Sequence, residues 1–189
     1  MEYNQPTLES VKKYRQDLAE IFSSNPFVVF LCGPTLSDLT KPGAQLRKDI
    51  KVALESDGFE VVLGEDDGLE DTRLNFGLNA QDNEMEFIKK HCNAIVIVGY
   101  SVGSYCELGL FSYQKAHKLK ENVDFILLLD ETHEEIKSYL NVGPATAVNH
   151  TGRVFYTDLR TFDIMMILER LRERRSIWMM DKRGRSRKK

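Results

Sequence analysis

The stretch Gly103-Ser104-Tyr105-Cys106-Glu107-Leu108-Gly109 follows closely on Ala94 to Gly99, a run that is apolar throughout. A carboxylate delivered just beyond a buried strand can act as a nucleophile or as a general acid or base. Gly103 permits close backbone approach to a ligand. The spacing puts Glu107 in the first turn of the following helix, where the helix dipole stabilises the anion. That predicts an ionised nucleophile at neutral pH. Free N–H groups at the same helix start can receive a hydroxyl or phosphate. Ser104 and Glu107 also form the pattern Ser-x-x-Glu, a capping box in which each side chain satisfies a backbone N–H. The two roles can alternate, with Glu107 capping when empty and attacking when substrate arrives.

Three loops stand at carboxyl strand ends: Gly33-Pro34-Thr35, the acidic segment 64–81 and Tyr100 to Glu107. The second is too long and polar to be an idle connection. Glu84 and Glu86 open the next helix and read as surface carboxylates favoured by its dipole. His91, His117, His133 and His150 show neither triad nor metal spacing. Tyr100 and Tyr105 are able to stack on a base, but read as packing. Cys32, Cys92 and Cys106 lie far apart and read as buried thiols in a reducing cytoplasm.

The elements that must position these residues alternate. Strands are expected at Phe27 to Cys32, Phe59 to Leu63, Ala94 to Gly99, Val123 to Asp130 and Arg153 to Tyr156. Helical spacing marks 7–22, 44–56, 82–92, 104–118 and a closing helix over 158–175. Alternation of this kind implies βαβ units and a parallel sheet. The expected fold is a doubly wound, flavodoxin- or Rossmann-like α/β domain of about five mainly parallel strands, with helices on both faces. The chain divides into an N-terminal helix (1–26), the α/β domain (27–178) and a basic tail (179–189).

The 189 residues suit one such domain, and no apolar run is long enough to span a bilayer. The first residues lack the basic and apolar regions of a signal peptide, so a cytoplasmic protein with no membrane association is expected. The formal charge of −3 is uneven, because the last eight residues, KRGRSRKK, carry six positive charges. Residues 182–189 are therefore either a solvated terminus or an anchor for nucleic acid.

Phe30-Leu31-Cys32-Gly33-Pro34 and Gly103-Ser104-Tyr-Cys-Glu107-Leu-Gly109, in this order, resemble the nucleoside 2-deoxyribosyltransferase superfamily. The resemblance covers 27 to about 160. It is closer still to the deoxyribosyltransferase-like effectors encoded beside bacterial retrons, which share an acidic Glu-Asp loop and an Asn-x-Gly-Pro segment, here 141–144. The resemblance implies cleavage or transfer at the N-glycosidic bond of a nucleotide or nucleoside, with Glu107 as the catalytic nucleophile. No cofactor is implied, although NAD is a possible substrate. Substrate contacts are implied at Gly33, Pro34, Asp66, Asp67, Ser101, Gly103, Ser104 and Asn141, with no metal ligands. A homo-oligomer is also implied, as are a toxic role in anti-phage defence and a ribonucleoprotein partner for the tail. One departure is Ser101, where deoxyribosyltransferases usually carry an aspartate that helps handle the base. Loss of that aspartate disfavours base exchange and suits nicotinamide, which leaves without needing a proton. The alternative is a catalytically silent nucleotide-sensing or nucleic-acid-associated module that works through the tail.

Overall fold

Three segments rich in Val, Ile, Leu and Phe form the middle of one sheet because each can be covered from both sides, and two half-buried strands flank them. A computed structural model describes residues 9–13, 16–17, 26–65, 69, 79–117 and 123–184. The strands are β1 (Val28–Cys32), β2 (Glu60–Val62), β3 (Ala94–Gly99), β4 (Asp124–Asp130) and β5 (Arg153–Thr157). They lie in the order β2-β1-β3-β4-β5, and every pairing is parallel. The helices are α1 (Pro42–Ser56), α2 (Ala80–His91), α3 (Val102–His117), α4 (Thr146–Thr151) and α5 (Met165–Gly184).

Alternation along the strands builds two cores. Ile95, Ile97, Phe125, Leu127 and Leu129 pack with Met85, Ile88, Leu108, Phe111 and Val148 from α2, α3 and α4. Val96, Val98, Ile126 and Leu128 pack on the other face with Leu46, Ile50 and Leu54 of α1 and Ile167, Leu168 and Leu171 of α5. The expected doubly wound fold is what these layers form.

Polar ties fix the edges of the layers. Asp124 is buried at the start of β4, where it accepts 2.7 and 2.6 Å hydrogen bonds from Nε and Nη2 of Arg170. Arg172 grips Asp57 in the same two-pronged way, and Arg175 stacks 4.0 Å over the Phe59 ring. Such forked pairs add geometric specificity as well as energy.

Gly152 allows β5 to approach β4. A Cβ at this position would stand 1.9 Å from the carbonyl oxygen of Phe125, an overlap that only backbone movement relieves. Gly152→Ala should lower the stability measured by urea denaturation by about 2 to 4 kcal/mol. An unchanged midpoint would contradict this packing.

The closing helix departs from its expected span of 158–175. Its first turn begins at Met165, whose N–H is accepted by Oδ1 of Asp163, and Asp158 forms a separate turn with Arg160 and Thr161. Side chains of this kind compete for backbone N–H groups and favour caps over helix interiors. The helix then runs on to Gly184, so the first three residues of the expected tail 182–189 belong to it. The rest of the tail and most of the expected helix 7–22 lie outside the described residues. Among the described residues no helix is long and apolar enough to cross a membrane.

Candidate active site

In a sheet ordered 2-1-3-4-5, strand order reverses between β1 and β3, and the crevice beyond their carboxyl ends is the usual ligand position. Glu107 stands there. Its helix starts earlier than the sequence suggests, so the residue occupies the sixth position of α3 and not the first turn. The capping box expected from Ser104 and Glu107 does not form. Ser101 caps instead, its Oγ accepting the N–H of Ser104 at 3.2 Å. Ser104 Oγ donates to Ser101 O at 2.8 Å and accepts from Tyr100 N and Ser101 N at 3.0 and 2.9 Å. With the cap supplied locally, Glu107 is released from a capping role.

Glu107 faces a cavity of about 320 Å³, shared with Gly64, Glu65, Asn83 and Glu84 and closed on its apolar side by Leu69 and Ala80. Glu84 is not the surface carboxylate expected of a helix start. It is half-buried on α2, whereas Glu86 is exposed and paired with Lys89 and Lys90. Gly64 makes room for it, since a Cβ there would lie 2.5 Å from Oε1 of Glu84.

Burial, and next the charge of Glu84, push the Glu107 carboxyl up to about 7, against the opposing pull of Arg47. Burial and then Glu65 bring Glu84 to about 7 as well, again with Arg47 opposing. Burial thus works against the dipole-favoured ionisation expected for Glu107. Desolvation wins because the dipole is felt mainly within the first turn and Glu107 lies beyond it. Its Oε2 is buried without a hydrogen-bond partner among the described residues. Cys32, fully buried at the end of β1, lies beside the Glu107 carboxyl and has the smallest of the influences on it, favouring the ionised form. Burial and then Glu107 hold its thiol well above the ordinary range, so it stays protonated.

Beneath these groups lies Arg47 of α1, only 2% exposed. Its Nη1 donates to Pro34 O at 3.0 Å and Glu65 Oε1 at 2.6 Å; its Nη2 donates to Leu31 O at 2.9 Å and Glu65 Oε2 at 2.9 Å. Gly33, at φ +154°, turns the chain so that the Arg47 stem passes; a Cβ there would stand 3.0 Å from Arg47 Cδ. Gly33 and Pro34 therefore shape the seat of Arg47.

The remaining sequence candidates scatter. Gly103 is exposed at the start of α3. Asn141 donates from Nδ2 to His133 O and, at 2.8 Å, to Ile136 O, and accepts from the Tyr156 hydroxyl at 3.2 Å. These bonds pin the segment after β4, and Asn141 is not among the described residues that line the cavity. Asp66 and Asp67 lie outside the described residues, although their neighbour Glu65 lines the cavity. Cys106 is exposed, contrary to expectation, while Cys32 and Cys92 are buried. Among the described residues no group of His, Cys, Asp and Glu is arranged to hold a metal ion.

Sequence reasoning missed Arg47, Glu65 and Glu84. One signal was available: Arg47 falls in helical register with Ile50 and Leu54, on the face that α1 buries. A charge in an apolar stripe demands a partner.

The family model described as STM3845 retron effector protein matches residues 44–186, about three quarters of the chain. The match spans Arg47, Glu65, Glu84 and Glu107. Neither a curated protein nor a solved structure matches.

Proposed function

The chain belongs to the STM3845 retron effector family, and from that membership we propose that it serves anti-phage defence by cleaving the N-glycosidic bond of a nucleotide or nucleoside. The observation that carries this reading is the pairing of Glu107 with Glu84 in one cavity beyond the carboxyl ends of β1 and β3. Two carboxyls raised to about 7, each destabilised as an anion by its surroundings, make both the protonated and the ionised form accessible near neutral pH. Glycoside cleavage with a covalent intermediate uses that combination wherever the leaving group must take a proton.

In the proposed reaction an ionised oxygen of Glu107 attacks the anomeric carbon. The bond from that carbon to the base nitrogen breaks, and its electron pair leaves with the base. A base that needs protonation takes the proton from Glu84. The glycosyl ester on Glu107 then passes to water or another acceptor as the Glu107 carboxylate leaves; the acceptor's proton goes to Glu84 where Glu84 has given its own to the base, and to solvent where it has not. The Ser101 hydroxyl is engaged in capping α3, which supports substrates whose base needs no help from that position. NAD and deoxynucleotides are therefore the first substrates to try, with deoxynucleosides as the comparison.

The test is incubation with this panel, read by mass for a released base. Bound but unaltered ligands would leave the nucleotide-sensing alternative in place, and efficient base exchange between free deoxynucleosides would overturn the substrate preference. The pH profile adds a sharper criterion. For a base that leaves protonated, kcat/KM should peak near pH 7, falling at lower pH as Glu107 gains a proton and at higher pH as Glu84 loses one. For a leaving group such as nicotinamide, the fall at higher pH should be absent. A profile flat from pH 5 to 9 for both kinds of substrate would exclude this pair.

A further inference from the structure

We propose that Glu65 is a positioning residue that holds the Arg47 guanidinium away from Glu84 and Glu107, leaving both carboxyls free of an ion pair. Its consequence for turnover rests on the reaction proposed above; the geometry does not.

Arg47 is a buried cation beneath two carboxyls that have every electrostatic reason to pair with it. It does not do so. Its Nη1 and Nη2 atoms make four bonds, two to the main-chain oxygens of Leu31 and Pro34 and two to Glu65. Among the described residues its ion pair is with Glu65 at 2.6 Å, and none is formed with Glu84 or Glu107. The main-chain bonds fix the guanidinium plane under the strand ends. Glu65, 52% exposed at its side chain, arrives from the turn after β2 and closes the fork from the cavity side. A fork–fork pair of this kind occupies two donors at once.

Loss of the Glu65 charge would leave two buried guanidinium donors without an ionised acceptor, a costly state. Glu84 and Glu107 both feel the charge of Arg47 and both line the cavity that Glu65 borders. They are the acceptors at hand. Among the described residues the charged and titratable groups facing the pair are Arg47 from α1, Glu65 after β2 and the Cys32 thiol at the end of β1. Of these, Arg47 alone favours the ionised form by its charge, and Glu65 opposes it. Sequestering Arg47 thus keeps the cavity carboxyls able to hold a proton near neutrality.

The experiment labels glutamate side chains with 13C and follows the carboxyl resonances with pH in the full chain, assigned through Glu84→Gln and Glu107→Gln. In Glu65→Gln the Glu84 and Glu107 midpoints should fall by about one pH unit or more, the range expected when an opposite charge is freed to pair. The fall should clearly exceed the one that Glu65→Gln causes in an Arg47→Gln background, where the Glu65 charge is lost but no cation is freed; equal falls in the two backgrounds overturn the proposal. Glu65→Asp, which keeps the charge, should lower them less. Midpoints that stay put or rise in Glu65→Gln overturn the proposal, as do equal shifts in the two variants. No substrate enters the measurement. Shifted midpoints without base release would fail the proposed reaction alone, and base release with unmoved midpoints would fail this inference alone.

Discussion

Glu107→Gln should reduce base release at least about a thousandfold, because a glutamine amide cannot form the glycosyl ester and loss of a positioned nucleophile is not compensated elsewhere. The same substitution should make the protein more stable above neutral pH. The Glu107 carboxyl is raised from its ordinary range to about 7, with burial the largest cause. A raised carboxyl contributes stability that is fully present below the unfolded-state value and is lost as pH rises through the folded value. Between about pH 5 and 8 the wild-type chain therefore loses on the order of 1 to 3 kcal/mol through this group, and the Gln variant does not. Urea denaturation at pH 5 and pH 8 reads the difference. The variant should gain on the wild type at pH 8 relative to pH 5, while mass detection of released base falls to background. Near-normal turnover in Glu107→Gln removes the nucleophile assignment. Loss of turnover through unfolding would show in the same urea curves. A nucleophile that destabilises its own fold is the trade expected where activity needs a poorly solvated charge.

What could be read from residues alone follows from how local each signal is. Ala94–Gly99 is legible to the residue, because it is apolar on both faces and bounded by polar positions. The alternation of strand and helix was enough to imply a parallel sheet covered on both sides. The start of α3 was misread because Ser101 and Ser104 are both competent caps, and only the backbone decides between them. That two-residue difference moved Glu107 out of the first turn and reversed the expected effect on its protonation. The closing helix was misread because Leu159, buried before the helix begins, extends its apolar period backwards. Asp158 and Asp163 turn the chain where the pattern suggests a continuous helix.

The chemistry was legible where one short stretch carries it. Glu107 stands out because glycine, serine and a carboxylate follow a buried strand within a few residues. Glu84, Glu65 and Arg47 come from three other elements and meet only when the sheet assembles. Glu84 is indistinguishable in sequence from Glu86, two residues on, yet one lines the cavity and the other pairs with lysines in solvent. Their difference is a direction around a helix whose buried face is set by Met85 and Ile88. Likewise Glu65 begins the acidic segment of which Asp66 and Asp67 seemed the better candidates, but Glu65 reaches Arg47.

Glu84→Gln separates proton delivery from nucleophilic attack. For a base that must leave protonated, the rate should fall by about 10²- to 10⁴-fold, the range attributed to a positioned general acid. For nicotinamide release the loss should be far smaller, since that leaving group takes no proton. The substitution also removes the charge that, after burial, raises Glu107 most. The low-pH fall in kcat/KM should therefore move to lower pH for every substrate. Gly64→Ala offers the same test without altering a titratable group. Its new Cβ would lie 2.5 Å from Oε1 of Glu84, the mobile end of a side chain, so the carboxyl yields and the backbone stays. Turnover of a proton-requiring substrate should drop in Gly64→Ala, with an unchanged urea midpoint and with nicotinamide release retained. Equal losses on both kinds of substrate in either variant would mean that Glu84 shapes the cavity and delivers no proton. Full activity in Glu84→Gln on a base that leaves protonated would assign the acid to another group, leaving Glu84 as the charge that keeps Glu107 protonated below neutrality.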